Sequence, residues 1–258
     1  MTDKTPRASN DDLFEYLLRL GDDRLVLGHR LSEWCGHGPI LEEDIALANI
    51  ALDLIGQATL YLHLAGEVEG KGRSEDALAY FREEVEFRNL KIVELPIGDF
   101  AFTIVRQFLF DSFSLLQMQE LQKSANTELA GIASKGYKEV RYHLRHSSEW
   151  VQRLGDGTRE SHDRAQKALD DLWRFTREMF AADDVDERLH AAGIAPDLAV
   201  LEPQWRAMVS DVMQRSTLSI PSNVPPLEQD ERGRHTEYLG HMLAEMQIVT
   251  RSHPGAEW

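Results

Sequence analysis

The sequence predicts an all-α protein. Apolar residues recur at intervals of three, four and seven along most of the chain, which is the spacing of one face of an α-helix. Helix-breaking sequences, such as the glycines and proline of 36–39, separate the periodic segments. No two neighbouring segments alternate between apolar and polar residues as a β-hairpin would. Four long helices followed by further helices predict a ferritin-like helical bundle with extra C-terminal helices.

The N-terminal end is expected to be irregular. Residues 1–10 are polar and are predicted to form a disordered tail, whereas residues 11–258 are predicted to form a single helical domain. Asn10 or Asp11 would cap the first helix, because a short polar side chain there can accept a hydrogen bond from a free backbone N–H group. That helix is expected to end before the breaker at 36–39.

The second helix is predicted from about Glu42 to Ala65. It is apolar nearly all round, which is typical of a central helix that is buried on every side. Its polar residues Asn49, Asp53 and Gln57 fall four apart and therefore share one face.

The remaining helices follow from the same periodicity and from the breakers between them. Ser74 is expected to cap a charged helix that continues to about Glu94. The further helices are predicted over about 100–122, 127–154, 159–182, 185–192, 203–215 and 236–251.

The composition excludes some classes of protein. Acidic residues number 44 against 28 basic residues, a formal net charge of −16, which argues against nucleic acid as a partner. The single cysteine, Cys35, permits no intramolecular disulfide and favours a reducing compartment. The first residues contain no apolar run, and no stretch comes close to the roughly 20 apolar residues that a membrane helix needs. These observations predict a cytoplasmic protein without a membrane segment.

Three carboxylates lie inside apolar helices, where a di-metal bundle carries its ligands. Such bundles take a carboxylate from each of two helices and a Glu-x-x-His pair from each of the other two. Here the residue three after Asp53 is Gly56, and the residue three after Glu139 is Tyr142. Asp111 is the third carboxylate. The pattern resembles a di-iron site whose ligand pairs are broken.

Two interpretations remain open for Asp53 and Asp111. Either side chain could ligate a metal, although an aspartate is a poor bridge between two metals because it is one methylene shorter than glutamate. Alternatively, Asp53 could accept hydrogen bonds from Asn49, Gln57 or a basic residue of a facing helix, since a buried carboxylate needs a partner. Gly56 at the histidine position favours this structural interpretation.

Glu139 and His143 form the segment that most resembles a motif. They are four apart, so they are neighbours on one helix face. They could bind a single Fe, Zn or Mn ion, or they could simply hydrogen-bond to each other beside an arginine-rich solvated stripe. Glu237 and His241 repeat this spacing in the last helix and are interpreted as structural, which shows how unspecific the spacing is.

Several blocks of the sequence together resemble a known family. The blocks are Arg30–His37, Leu47–Gln57, Lys138–Arg145, Leu172–Phe175 and His235–Gly240. They are similar to the C subunit of the bacterial phenylacetyl-CoA epoxidase, and the resemblance extends from about Leu13 to Trp258.

The resemblance implies a place in a multicomponent monooxygenase of aerobic phenylacetate degradation. In that enzyme the di-iron centre lies in an A subunit, together with the site for phenylacetyl-CoA, which becomes the ring-1,2-epoxide. A small B subunit bridges the assembly, and a reductase with FAD and an iron–sulfur cluster delivers electrons from NADPH. The C subunit shares the ferritin-like fold, lacks a working metal site and supports the A subunit.

The resemblance therefore assigns no catalytic residue, no bound cofactor and no metal to this chain. Two alternatives remain. The chain could be a metal-binding oxidoreductase in its own right, using Asp53, Asp111, Glu139 and His143. It could also be a non-enzymatic partner that binds acyl-CoA.

Overall fold

A computed structural model describes residues 8–222, 224–225, 227 and 232–256 of the chain. These residues form ten α-helices and contain no β-strand. The helices are α1 (Asn10–Ser32), α2 (Leu41–Glu69), α3 (Glu75–Tyr80), α4 (Lys91–Glu94), α5 (Phe100–Leu121), α6 (Thr127–Gly155), α7 (Arg159–Leu172), α8 (Asp184–Ala191), α9 (Leu198–Arg215) and α10 (Glu237–Ser252). Two short 3₁₀ segments, Glu84–Glu86 and Trp173–Phe180, complete the regular structure.

The four longest helices, α1, α2, α5 and α6, form the central bundle, and side-chain pairs show their directions. In α2 and α6, Asp53 bonds His143 while the later Gln57 bonds the earlier Glu139, so the two helices are antiparallel. Helices α1 and α2 are also antiparallel and approach closely at Gly28. A Cβ atom there would lie 2.9 Å from a side-chain carbon of Ile55 on α2. The all-α, ferritin-like prediction is confirmed.

Helix α1 is enclosed along most of its length. Ser9 begins it with a capping box, in which the Ser9 hydroxyl accepts from the Asp12 amide (3.1 Å) and the Asp12 carboxylate accepts from the Ser9 amide (2.8 Å). The expected caps, Asn10 and Asp11, are therefore wrong by one or two positions. Residues 1–7 of the expected disordered tail lie outside the described residues, and Asn10 belongs to the helix.

The prediction that the second helix is buried on every side is wrong. Nearly every residue from Leu13 to Leu31 of α1 is buried, whereas α2 leaves Ile45 52% and Leu52 67% exposed. By length and composition α2 would also suffice to cross a membrane, contrary to the sequence-based expectation. The core helix of a water-soluble bundle meets the same criterion, and the inner side of α2 packs against α1 and α6.

The charged segment 74–94 is not the single helix that its sequence suggests. It consists of α3, a 3₁₀ turn and α4. Buried carboxylates of α1 hold the connecting chain open: Asp22 accepts a hydrogen bond from the Arg88 amide (2.8 Å), and Asp23 accepts one from the Leu90 amide (2.7 Å). Because these amides bond to another helix, they cannot also bond within a continuous helix.

The C-terminal helices differ from expectation at two boundaries. Helix α7 stops at Leu172, after which a 3₁₀ segment replaces the rest of the predicted 159–182 helix. Helix α9 begins five residues before Pro203, at Leu198, because Asp197 caps it by accepting a hydrogen bond from the Ala199 amide (2.9 Å).

Candidate functional site

A buried arginine lies at the centre of the four-helix bundle. Arg24 of α1 is fully buried. Its Nε donates to Gln57 of α2 (3.1 Å), and its Nη2 donates to Ser114 (3.2 Å) and Gln117 (3.4 Å) of α5. Its guanidinium also lies 5.0 Å from the centre of the Tyr61 ring, within the range of a cation–π contact. Arg24 therefore ties three elements together through neutral partners.

Gln57 extends this network to α6. Its Nε2 donates to Glu139 Oε2 over 2.8 Å, while its Oε1 accepts from Arg24. Glu139 is half-buried. The Gln57 amide therefore links the Arg24 guanidinium to the Glu139 carboxylate through two hydrogen bonds.

Glu139 and His143 do not pair with each other, although they are neighbours on α6. His143 Nε2 instead lies 2.9 Å from Asp53 Oδ2 of α2. The alternative in which Glu139 and His143 hydrogen-bond to each other is wrong, because facing residues of α2 supply a separate partner for each side chain. Asp53 has the basic partner on a facing helix that the structural interpretation requires, and its side chain remains 40% exposed.

Asp111 lies deeper than Asp53 and has neutral partners. It accepts hydrogen bonds from Gln107 Nε2 (2.7 Å) and from the Ser147 hydroxyl (2.8 Å). Burial raises the pKa of Asp111 to about 6, and the nearby His143 and the two hydrogen bonds oppose that rise only in part. The Asp111 carboxyl therefore gains or loses its proton near pH 6.

A second histidine–carboxylate pair connects α2 and α6. His146 Nε2 lies 2.8 Å from Glu43 Oε2, and both side chains are about nine-tenths buried. The Tyr142 ring stacks on the His146 ring, with 6.5 Å between the ring centres. Tyr142 thus occupies the position of a missing histidine ligand and covers a neighbouring imidazole.

Sequence reasoning missed Arg24 and Glu43. Arg24 falls between Leu20 and Leu27 in the apolar stripe of α1, and a charge at a core position is a signal that could have identified it. Glu43 lies in the first turn of α2, where an acidic residue is favoured by the helix dipole alone, so its position gives no sign of a histidine partner. The Glu237 and His241 side chains of α10 are exposed.

The donor set does not fit a di-iron centre. Among the described residues, no three histidine, cysteine or acidic side chains are arranged to hold a metal ion. Each candidate ligand already has a protein partner: Gln57 for Glu139, Asp53 for His143, and Ser147 for Asp111. The Arg24 guanidinium also adds a positive charge where such a bundle places cations, and like charges repel.

Cys35 is a free cysteine, and its side chain is exposed.

A family model described as phenylacetic acid catabolic protein matches residues 1–258. The chain belongs to this family. This match agrees, at the level of the family, with the resemblance inferred from the sequence blocks.

One relative confirms the resemblance to a C subunit over nearly the whole chain. The C subunit of the 1,2-phenylacetyl-CoA epoxidase of Escherichia coli (strain K12) is 48% identical over 248 residues. The match covers 96% of this chain and 100% of the relative. This chain is therefore similar, from end to end, to one component of a multi-subunit epoxidase.

Proposed function

We propose that this chain is the non-catalytic structural subunit of a cytoplasmic phenylacetyl-CoA ring-1,2-epoxidase. In this role it pairs with a catalytic A subunit that holds the di-iron centre and phenylacetyl-CoA. A bridging B subunit and a reductase carrying FAD and an iron–sulfur cluster, supplied by NADPH, complete the complex. The end-to-end similarity to the C subunit of an epoxidase supports the assignment to such a complex.

The main support for a non-catalytic role comes from the side chains at the centre of the bundle. Arg24, Gln57 and Glu139 form a continuous hydrogen-bonded chain where a di-metal bundle has its cluster. A buried network whose polar groups are satisfied rigidifies a core. A rigid bundle is suited to support a neighbouring subunit whose metal-bearing helices must keep their geometry during oxygen chemistry.

The first experiment measures iron in the purified chain, alone and in complex with the catalytic subunit. We expect no iron and no epoxidation by the isolated chain, and both iron and NADPH-dependent epoxidation in the complete complex. Near-stoichiometric iron in the isolated chain that disappears in Glu139→Ala or His143→Ala would overturn the proposal. Glu128→Ala, an exposed acid on the same helix, is the matched control.

A second measurement separates the ligand-binding alternative. Calorimetric titration of the isolated chain with phenylacetyl-CoA is expected to show no heat of specific binding. Saturable binding at one site per chain would favour a subunit that holds the substrate itself.

A further inference from the structure

The outward side of α2 is an exposed apolar surface. Ile45 and Leu52 are seven residues apart on the same face, and they are 52% and 67% exposed. Tyr142 of α6 is 44% exposed. Its neighbour in sequence, His143, bonds to Asp53 of α2, which is itself next to Leu52. Isolated exposed apolar residues are ordinary on protein surfaces, whereas several on adjacent helices mark a surface that binds another protein.

The outward side of α6 adds a stripe of positive charge to this surface. The stripe consists of Lys135, Lys138, Arg141 and Arg145, which are all exposed. Among the described residues none of the four forms an ion pair, and the Arg145 guanidinium lies 5.5 Å from the centre of the Tyr142 ring. From 129 to 148 the one acidic residue is Glu139, which is bonded to Gln57.

The stripe is unlike the other exposed helices of the chain. Elsewhere a carboxylate four residues away neutralises each of several exposed cations. These pairs are Glu160–Arg164, Lys167–Asp171, Glu202–Arg206 and Asp211–Arg215. The chain has 44 acidic and 28 basic residues, yet among the residues that the structure describes these four neighbouring cations form no ion pair. They lie beside an exposed apolar surface. This combination fits a partner surface that supplies carboxylates around an apolar centre.

The area of this surface is comparable with that of a protein–protein interface. From 41 to 59 the exposed side of α2 is about 27 Å long at 1.5 Å per residue, and two helices side by side are about 20 Å wide. The resulting area is on the order of 500 Å2, against about 800 Å2 per partner in a stable complex. The α2–α6 face would therefore provide more than half of such an interface.

We propose that the α2–α6 face, made of Ile45, Leu52, Tyr142 and the four cations of α6, docks onto the catalytic subunit of the complex. The partner surface presents apolar side chains flanked by carboxylates. This inference rests on the proposed function, and it adds the surface and its chemistry.

The test measures the dissociation constant between the full chain and the purified catalytic subunit by calorimetry. Leu52→Arg is expected to weaken binding by at least tenfold, because it places a charge in the apolar centre. Ile248→Arg changes a residue on α10 that is 61% exposed and should bind like the parent chain. Lys138→Glu combined with Arg141→Glu should also weaken binding. In addition, it should flatten the loss of affinity with added salt, since salt screens these charges.

Four outcomes decide between the alternatives. Weakening by Leu52→Arg and by the charge-reversal pair, but not by Ile248→Arg, supports the α2–α6 face. If all variants bind like the parent chain, the surface is wrong while the proposed pairing stands. If the parent chain does not bind the catalytic subunit, the pairing and the surface both fail. If the parent chain forms a homodimer that Leu52→Arg dissociates, a second copy is the occupant and the proposal is overturned. Circular dichroism of each variant verifies that it is folded.

Discussion

Helices α1 and α2 lie side by side, yet the more charged of the two is the more buried. Helix α1 buries Arg19, Asp22, Asp23 and Arg24, whereas the largely apolar α2 exposes Leu52 to solvent. The charges of α1 are tolerated because other elements supply their partners, such as Arg82 for Asp22. The burial of a helix thus depends on how many of its sides pack against neighbouring elements. The charged side chains that become buried in this way have hydrogen-bond partners on those elements.

The largest expected effect comes from breaking a pair of α1. Asp22 accepts hydrogen bonds from Arg82 Nη1 (2.9 Å) and from the Arg88 amide (2.8 Å), and both Asp22 and Arg82 are buried. Asp22→Ala should lower the free energy of unfolding by about 3–5 kcal/mol, because it leaves a buried guanidinium without its partner. Urea denaturation measures this. Asp11→Ala, at an exposed position of the same helix, should cost less than about 1 kcal/mol, and equal costs would contradict the comparison.

The next effect compares the two sides of α2. Leu54 is 1% exposed and Leu52 is 67% exposed, although they are only two positions apart. Leu54→Ala should cost about 2–5 kcal/mol of unfolding free energy through a cavity. Leu52→Ala should stay within about 0.5 kcal/mol. A comparable loss in both variants, measured by urea denaturation, would show that the outer side of α2 is packed in the isolated chain.

Asp111 is a buried carboxylate whose hydrogen-bond partners, Gln107 and Ser147, are both neutral. An unfolded aspartate has a pKa of 3.8, and burial raises that of Asp111 to about 6. Between these values the folded chain holds a proton that the unfolded chain has lost, so stability falls as pH rises from about 4 to 6. The expected loss is up to about 3 kcal/mol, at about 1.4 kcal/mol per pKa unit.

Asp111→Asn removes this titration and isolates its contribution. The unfolding free energy of the variant minus that of the parent chain should rise by about 2–3 kcal/mol between pH 4 and pH 7, because only the parent chain loses this contribution. Other groups, such as Glu178, whose pKa burial raises to about 7, titrate in both proteins and cancel in the difference. Urea denaturation at several pH values tests this, and parallel profiles would show that the Asp111 pKa is not raised.

The smallest effect is expected at the bundle centre. Arg24→Met keeps much of the side-chain volume but leaves the oxygens of Gln57 and Gln117 without their donor. We expect a loss of about 1–3 kcal/mol, the cost of unsatisfied buried polar groups. Arg164→Met, at an exposed position of α7, should change stability by less than about 1 kcal/mol. An unchanged or higher stability of Arg24→Met would show that the central charge is not needed for folding.

Local patterns predicted the helices well where one rule governed them. Helix α5 begins at Phe100 because Asp99 accepts a hydrogen bond from the Phe102 amide (2.8 Å), and the apolar period predicted this helix to within one residue of its end. The same rule wrongly predicted one continuous helix over 74–94, because the Arg88 and Leu90 amides bond to carboxylates of α1 more than sixty residues away in sequence. No local period contains that information.

The sequence by itself determined the all-α bundle and the broken ligand pairs. Helical period and breakers are local properties of the sequence. Only the tertiary structure decided that α1, not α2, is enclosed, and that Asp53 meets His143 while Glu139 meets Gln57. These pairings depend on the register between helices, which is set by packing on all sides at once and is not encoded in the period of a single helix.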